Sequence, residues 1–528
     1  MTDTRDLTKL YSNAQETKIP ELVPIEGQIP DYVNGTYLKV GPGKYHFENG
    51  FSVNHFFDAY SSLAQFVIRN GSTVKFQNKY LETDVFRRAN AAKGSVVCEF
   101  GTGAIPDPSK GWLSRCIPQV IPEMSDNHNM ALYQIGTNIC VAGETCFFRD
   151  LDAINIQLGD KHDTNKCYGL NFVSPHLLTD DKTGVTYTVG SSFTTGLKYN
   201  FVRIPPMTGK PSTKEMLKKA QIFSTISSQV STLLSMHHSF GMTSNYLVFV
   251  EQPYVLNVTK ILGGILTKGQ CFMDWLEWRG ELRNRFYLID KQSGKVHKTD
   301  FVTQDPFMFT HFINCYEDDG HVVCDMLAFD NGDFFDANNV KKLLSNDPIR
   351  DSNFARAERF VIPLLENAND IIDQKELVTL EYTTASVMKM GKKFVMKPEI
   401  LTTKGLELPC LNKKFIGKKY KFFYVTGNTS PCGYFENSLV KMDLETKELK
   451  VWQGSTEEYP GEPMFIPNPS ANEDDEDNGV ILSVVINSRM EEKDYLLFVD
   501  SKTFKEIGRA NFSQSKVPFL IHGIYLPE

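Results

Sequence analysis

What this 528-residue chain lacks narrows its function before any motif is read. It contains no run of roughly 18 apolar residues, so no segment is expected to span a membrane as a helix. Its N-terminus, Met1-Thr-Asp-Thr-Arg-Asp-Leu, has no apolar core, so no secretory leader is expected. Positive charge is not in excess: 56 basic residues face 64 acidic ones, a net charge of −8, which argues against a nucleic-acid partner. The ten cysteines form no Cys-x-x-Cys pair. Several lie in apolar runs, as in Val96-Val97-Cys98 and Val322-Val323-Cys324, and read as reduced, buried thiols of a cytosolic protein. Helical periodicity is sparse, with Thr213–Ala220 and Ala337–Leu344 the best candidates, as insertions. Histidine is scarce too, with 11 in the chain.

Aromatic residues, by contrast, are plentiful, with 37 Phe and 21 Tyr, which suits β-structure and an apolar ligand tunnel as well as an ordinary core. Short strand-like runs recur, among them Thr36–Val40, Ala64–Ile68, Ala131–Ile135, Asn138–Ala142, Lys198–Ile204, Tyr246–Glu251 and Tyr495–Asp500. Short strands punctuated by turn residues predict an all-β architecture. Leu288–Val296, Lys441–Leu449 and Phe498–Ile507 repeat one pattern of apolar strand, Asp, turn and outgoing strand. That is how the outer hairpins of propeller blades read, and a closed propeller protects the strand edges of a long all-β domain. Residues 1–35, broken by Pro20, Pro24 and Pro30, read as an arm, with 36–528 as one β-propeller carrying cap insertions. The acidic run Glu473–Asp477 reads as a solvated loop. Two segments, 111–122 and 254–268, are more apolar than loops should be; each suits a membrane interface or a packed surface element.

Four histidines lie in apolar, strand-like contexts: His176, His238, His311 and His522. His238 follows His237 directly, and on a strand such neighbours face opposite ways, so one can enter a site while the other packs outside it. No single element can gather residues spread from 176 to 522, but propeller strands converging on one axis can. The product would be a metal held by one imidazole from each of four blades. Four neutral imidazoles cancel none of a divalent ion's charge, so outer carboxylates are expected. Glu144, Glu407 and Glu462 suit that task by context, although each alone could be an exposed turn carboxylate. All-imidazole ligation suits iron, zinc and copper alike.

The motifs Val40-Gly-Pro-Gly43, His55-Phe-Phe-Asp58, Glu99-Phe-Gly-Thr102, Pro106-Asp-Pro108, Gly143-Glu-Thr145, His238-Ser-Phe-Gly-Met242, Ile313–Asp318, Tyr459-Pro-Gly-Glu-Pro463 and Phe519-Leu-Ile-His-Gly523 stand in one order along the chain. Together they resemble the carotenoid cleavage oxygenases, in the branch that holds animal β-carotene oxygenases, the retinoid isomerohydrolase and the invertebrate carotenoid isomerooxygenases. The resemblance runs from about Pro20 to the C-terminus. It implies a seven-bladed β-propeller with a helical cap, with Fe2+ on the axis held by His176, His238, His311 and His522 and with Glu144, Glu407 and Glu462 behind them. The first site departs from the family's usual Ala-His-Pro, reading Ser174-Pro-His-Leu177, but Asp180 and Thr183-Gly184 keep the spacing.

The implied reaction is cleavage of a carotenoid such as β-carotene or zeaxanthin by O2 at the central 15,15′ double bond. Phe100 would line the cleft, with Phe309 and Phe329 as weaker candidates. The isomerohydrolase carries Thr where this chain has Gly143 and Cys where it has Ser109, which favours oxidative cleavage here. The overall sequence resembles the isomerooxygenases, which also turn one product half from trans to 11-cis. The alternatives are retinyl ester isomerohydrolysis, eccentric 9′,10′ cleavage and a non-catalytic carotenoid-binding propeller. A water-insoluble substrate implies a cytoplasmic enzyme held peripherally on membranes, with 111–122 and 254–268 as the contact.

Overall fold

The computed structural model describes residues 6–111, 123–193, 196–264, 269–345, 350–365, 367–427, 437–514 and 516–528, with the side chains of 262–264 left out. β-Strands dominate these residues and form eight sheets. Seven sheets have four to six strands, and the eighth, made of Leu233–Ser235, Tyr254–Asn257 and Leu276–Trp278, has three. Pairing is antiparallel almost throughout, as short chain-adjacent strands joined by tight turns require. Phe301–Thr303 against Lys393–Lys397 is a parallel exception.

Strands from the two ends of the chain share a sheet. His522–Pro527 pairs with Gly35–Lys44, which in turn pairs with Tyr60–Arg69. This pairing covers the free edge of Gly35–Lys44 and leaves His522–Pro527 as an outer strand of the sheet. Residues before Gly35 also contribute strands. Glu21–Pro24 adds to the edge of Thr73–Tyr80, and Glu26–Gly27 adds to Lys505–Phe512. Lys9 is buried, and its ammonium meets Asp494 Oδ1 at 2.8 Å.

The strands inferred at Ala131–Ile135, Asn138–Ala142, Lys198–Ile204 and Tyr246–Glu251 form over those residues. In each copy of the repeated pattern the aspartate closes its turn: Asp290, Asp443 and Asp500 accept from backbone N–H groups two or three residues on. Thr213–Lys219 is helical and opens on a Ser212/Glu215 capping box. The single helix expected over Ala337–Leu344 is instead two short pieces, Asp333–Ala337 and Val340–Leu343. Asn339 divides them, because its side chain accepts from Lys341 N and starts a new turn.

Two other expectations need correction. Glu473 and Asp474 are exposed, but Glu476 is buried and accepts from the backbone N–H groups of Lys421 and Phe422. The thiols are not uniformly buried either: Cys140, Cys146, Cys315 and Cys324 are, Cys98, Cys271 and Cys410 are half-buried, and Cys167 is exposed. Cys116 and Cys432 lie outside the described residues.

Candidate metal centre

Each of the seven larger sheets brings one residue to a common point. In chain order these are Glu144 after Asn138–Ala142, His176 between Phe172–Val173 and Leu178–Thr179, and His238 just before Gly241–Met242. His311 within Met308–Asp318, Glu407 within Leu406–Cys410, Glu462 before Met464–Pro467 and His522 opening the last strand complete the set. The ligand atoms of the four histidines all lie within 4.8 Å of one another, and the cluster could hold a metal ion. His176 Nε2 stands 2.9 Å from His238 Nε2, which stands 3.1 Å from His311 Nε2.

Three of the rings are turned by carboxylates. His238 Nδ1 donates to Glu144, His311 Nδ1 to Glu407 Oε2 at 2.7 Å, and His522 Nδ1 to Glu462 Oε1 at 2.7 Å. A proton on Nδ1 leaves Nε2 with a bare lone pair. The Nε2 atoms of His238 and His311 thus face each other as two acceptors, an arrangement that a cation between them relieves. Burial pushes the three carboxyls up, but the facing imidazoles outweigh it and all three lie below the usual glutamate range. Burial, and then its three histidine neighbours, push His176 well below the ordinary imidazole value, so it too presents a lone pair. The residues fit a divalent transition metal. His176 has no carboxylate contact among the described residues.

Further groups brace the glutamates. Glu407 also accepts from Thr310 Oγ1 and from Leu408 N at 2.6 Å, the latter because Leu408 takes a left-handed φ of 55°. Glu462 accepts from Gly523 N at 2.8 Å and lies near buried Lys39, whose ammonium burial pulls down to about 8 against the pull of Glu462.

The centre opens on a cavity of about 550 Å³ whose lining is largely apolar, with Phe57, Phe100, Phe172, Phe272, Trp275 and Phe335 among it. Phe100 packs against His55 at 4.9 Å and Phe335 at 5.4 Å between ring centroids. Its turn is tied down by Asp58, which accepts from Gly101 N and Thr102 Oγ1. Phe309 also reaches the cavity, whereas Phe329 packs on Phe334 in the core. Gly143 lies on the lining beneath Asn127, whose carbonyl oxygen would sit 2.7 Å from any added Cβ.

The histidine pair departs from its expected setting. His237 and His238 lie in the connection after Leu233–Ser235, not on a strand. They still diverge: His238 joins the cluster, while His237 is buried against Tyr199 and Phe249 with Nδ1 at Ser235 O. Part of 254–268 is not free for a membrane, because Tyr254, Val255 and Leu256 are buried in the three-stranded sheet. Val258 and Ile261 line the cavity. Residues 112–122 and 265–268 lie outside the described residues. No helix among the described residues is long and apolar enough to cross a membrane. Sequence reading assigned no role to His55, although the His55–Asp58 motif marked the place. It also passed over the parts played by Asp58, Ser174, Thr310 and Leu408.

A family model described as retinal pigment epithelial membrane protein matches residues 10–527. A ferret protein named carotenoid-cleaving dioxygenase, mitochondrial, is 33% identical, covering 98% of this chain and 96% of its own. A chicken β,β-carotene 15,15′-dioxygenase is also 33% identical, covering 98% and 97%. The crystal structure of cobalt-substituted Synechocystis apocarotenoid oxygenase superposes with a TM-score of 0.77 at 17% identity, covering 99% of this chain and 98% of its own.

Proposed function

The chain belongs to the carotenoid oxygenase family, that of the retinal pigment epithelial membrane protein, and from that premise we propose that it is an iron(II) dioxygenase that cleaves a carotenoid. The bond broken is the central 15,15′ double bond, each half takes one oxygen atom of O2 to become a retinoid aldehyde, and one half leaves as the 11-cis isomer. The convergence of four imidazole Nε2 atoms at an aromatic cavity supports this reading most directly. The name of the chicken relative supports the central position.

Iron(II) would be held by His176, His238, His311 and His522, and supplies the electron transfer that lets O2 react with a closed-shell polyene. The protein's part is positional and electrostatic. Glu144, Glu407 and Glu462 keep a proton on Nδ1 of their histidines, so that each Nε2 points inward unprotonated. The cavity sheds the water around an extended apolar substrate. Phe100, fixed by Asp58 and backed by His55 and Phe335, offers a ring face to positive charge that develops along the polyene. Gly143 keeps the lining beside Glu144 open where a larger side chain would meet the Asn127 carbonyl.

We read the seven larger sheets as the blades of one propeller over 36–528, with 1–35 as an arm and the three-stranded sheet as part of the cap. The substrate's insolubility supports a membrane-surface enzyme facing the cytoplasm. The ferret relative's name makes the mitochondrion the competing address, and fractionation of expressing cells decides between them. The central test incubates purified iron-replete protein with β-carotene or zeaxanthin in detergent under air, with chromatography of the products. One iron per chain and O2-dependent formation of C20 aldehydes, half of them 11-cis, are expected. All-trans aldehyde alone would remove the isomerisation. C27 and C13 products would move the cleavage to the 9′,10′ bond, and unchanged pigment would overturn the oxygenase reading.

A further inference from the structure

His176 is the one histidine of the cluster with no carboxylate behind its ring among the described residues, yet it sits in a short connection between two-residue strands. The His176 segment is instead gripped through its backbone and its turn. Ser174, which is buried, donates Oγ to the His238 carbonyl oxygen at 2.6 Å and accepts from His176 N at 3.2 Å. Four residues beyond His176, Asp180 folds its turn by accepting from Lys182 N and Thr183 N. Its other oxygen meets Lys291 Nζ at 2.5 Å. The same ammonium donates to the carbonyl oxygens of Thr243 at 2.9 Å and Ser244 at 3.0 Å, which follow the short strand beside His238. Lys291 and Asp180 are only 8% and 9% exposed.

The repeated hairpin pattern gives this lysine an independent mark. The residue after the turn-closing aspartate points inward in all three copies: Leu444 and Ser501 are buried, as is Lys291. An inward position that takes an apolar or small neutral residue elsewhere carries a charge here. A buried ammonium is costly unless paired, and this one satisfies three acceptors drawn from two sheets.

We propose that Lys291, with Ser174, is a positioning device for the metal: it locks the His176 segment to the His238 segment and replaces the carboxylate that His176 lacks. The inference rests on the four-histidine reading. The test loads the full-length protein with Co(II), records the ligand-field absorption bands, and follows their loss after addition of excess EDTA. Lys291→Met and Ser174→Ala are compared with Lys9→Met, far along the chain from the four histidines, which breaks an even more deeply buried ion pair with Asp494. Melting midpoints of the metal-free proteins are measured in parallel.

Lys291→Met is expected to release Co(II) at least tenfold faster with shifted bands, and Ser174→Ala at least threefold faster. Lys9→Met should lower the melting midpoint as much as Lys291→Met but leave the release rate within twofold of wild type. Should Lys291→Met fail to fold, Ser174→Ala carries the comparison. Wild-type release rates in both Lys291→Met and Ser174→Ala, or equal acceleration by Lys9→Met, would overturn the clamp alone. A wild-type chain that takes up no Co(II) would overturn the metal reading and the clamp with it.

Discussion

Replacing Glu407 by glutamine isolates what a carboxylate contributes behind His311, one of the four histidines proposed to hold the metal. Oε2 accepts both His311 Nδ1 and Leu408 N, and Oε1 accepts Thr310 Oγ1. A glutamine can keep its oxygen at the Oε2 place and turn its amide toward Thr310, whose hydroxyl rotates to accept. The opposite orientation would set an NH2 group against two N–H donors. The hydrogen-bond pattern therefore survives and only the negative charge is lost. Outer-shell partners of metal-bound histidines are worth about 10- to 100-fold in affinity, or about 1.4–2.8 kcal/mol. Glu407 is buried, so its charge is poorly screened and the upper half of that range is expected. Glu144 has a side chain 31% exposed to the cavity, and Glu144→Gln should fall in the lower half. The assay is competition for Co(II) against a chelator of known affinity, with circular dichroism to establish that each variant is folded. An affinity loss below twofold in Glu407→Gln, or a larger loss at Glu144, would refute the argument that charge behind the imidazole sets metal retention.

Three further outcomes follow from the packing. Lys9→Met strands the Asp494 carboxylate, whose side chain is 1% exposed, and should cost about 3–5 kcal/mol, read as a lowered denaturant midpoint. Gly143→Thr places a Cβ 2.7 Å from the Asn127 carbonyl oxygen and should cut polyene turnover at least tenfold while metal content stays near one per chain. Burial pushes the Asp58 carboxyl up to about 6, against the pull of Thr102 and Gly101. The folded protein then binds more protons than the unfolded chain between about pH 4 and pH 6, so this group's stabilisation is full below that window and is lost as pH rises through it. Asp58→Asn should flatten that part of the stability–pH profile, and an unchanged slope in thermal midpoints between pH 4 and 6.5 would refute the assignment.

Much of the site could be read from the chain because its residues sit in short, distinctive contexts. The apolar settings of His176, His238, His311 and His522 and the three glutamates beside Gly, Pro or apolar residues are visible in the sequence alone. The pairing among them is not. Glu144 reaches forward 94 residues to His238, Glu407 reaches back 96 to His311, and Glu462 reaches forward 60 to His522. Those choices depend on how separate sheets are arranged in space, which no local pattern records. Local geometry was hidden for a different reason. Leu408 adopts a left-handed φ that a leucine would not adopt unaided, and the surrounding strand bulge imposes it. The split at Asn339 and the burial of Glu476 likewise reflect tertiary demand overriding a plausible local reading.

The seven sheets also explain why this centre differs from metal sites built on one helix or one hairpin. A site on a single element inherits its spacing from that element, and one substitution disturbs it locally. Here seven separate segments must agree in height and angle, so the accuracy of the centre depends on the contacts between neighbouring sheets. Ser239 Oγ donating to Thr310 O, Gln252 donating to Met236 O and Phe309 O, and Lys291 bridging to Asp180 are contacts of that kind, and each joins segments that carry or flank different histidines. A polar substitution series along these contacts should therefore perturb metal retention more than equally buried substitutions within a single sheet, and the ratio of the two effects measures how far the scaffold itself is the ligand's support.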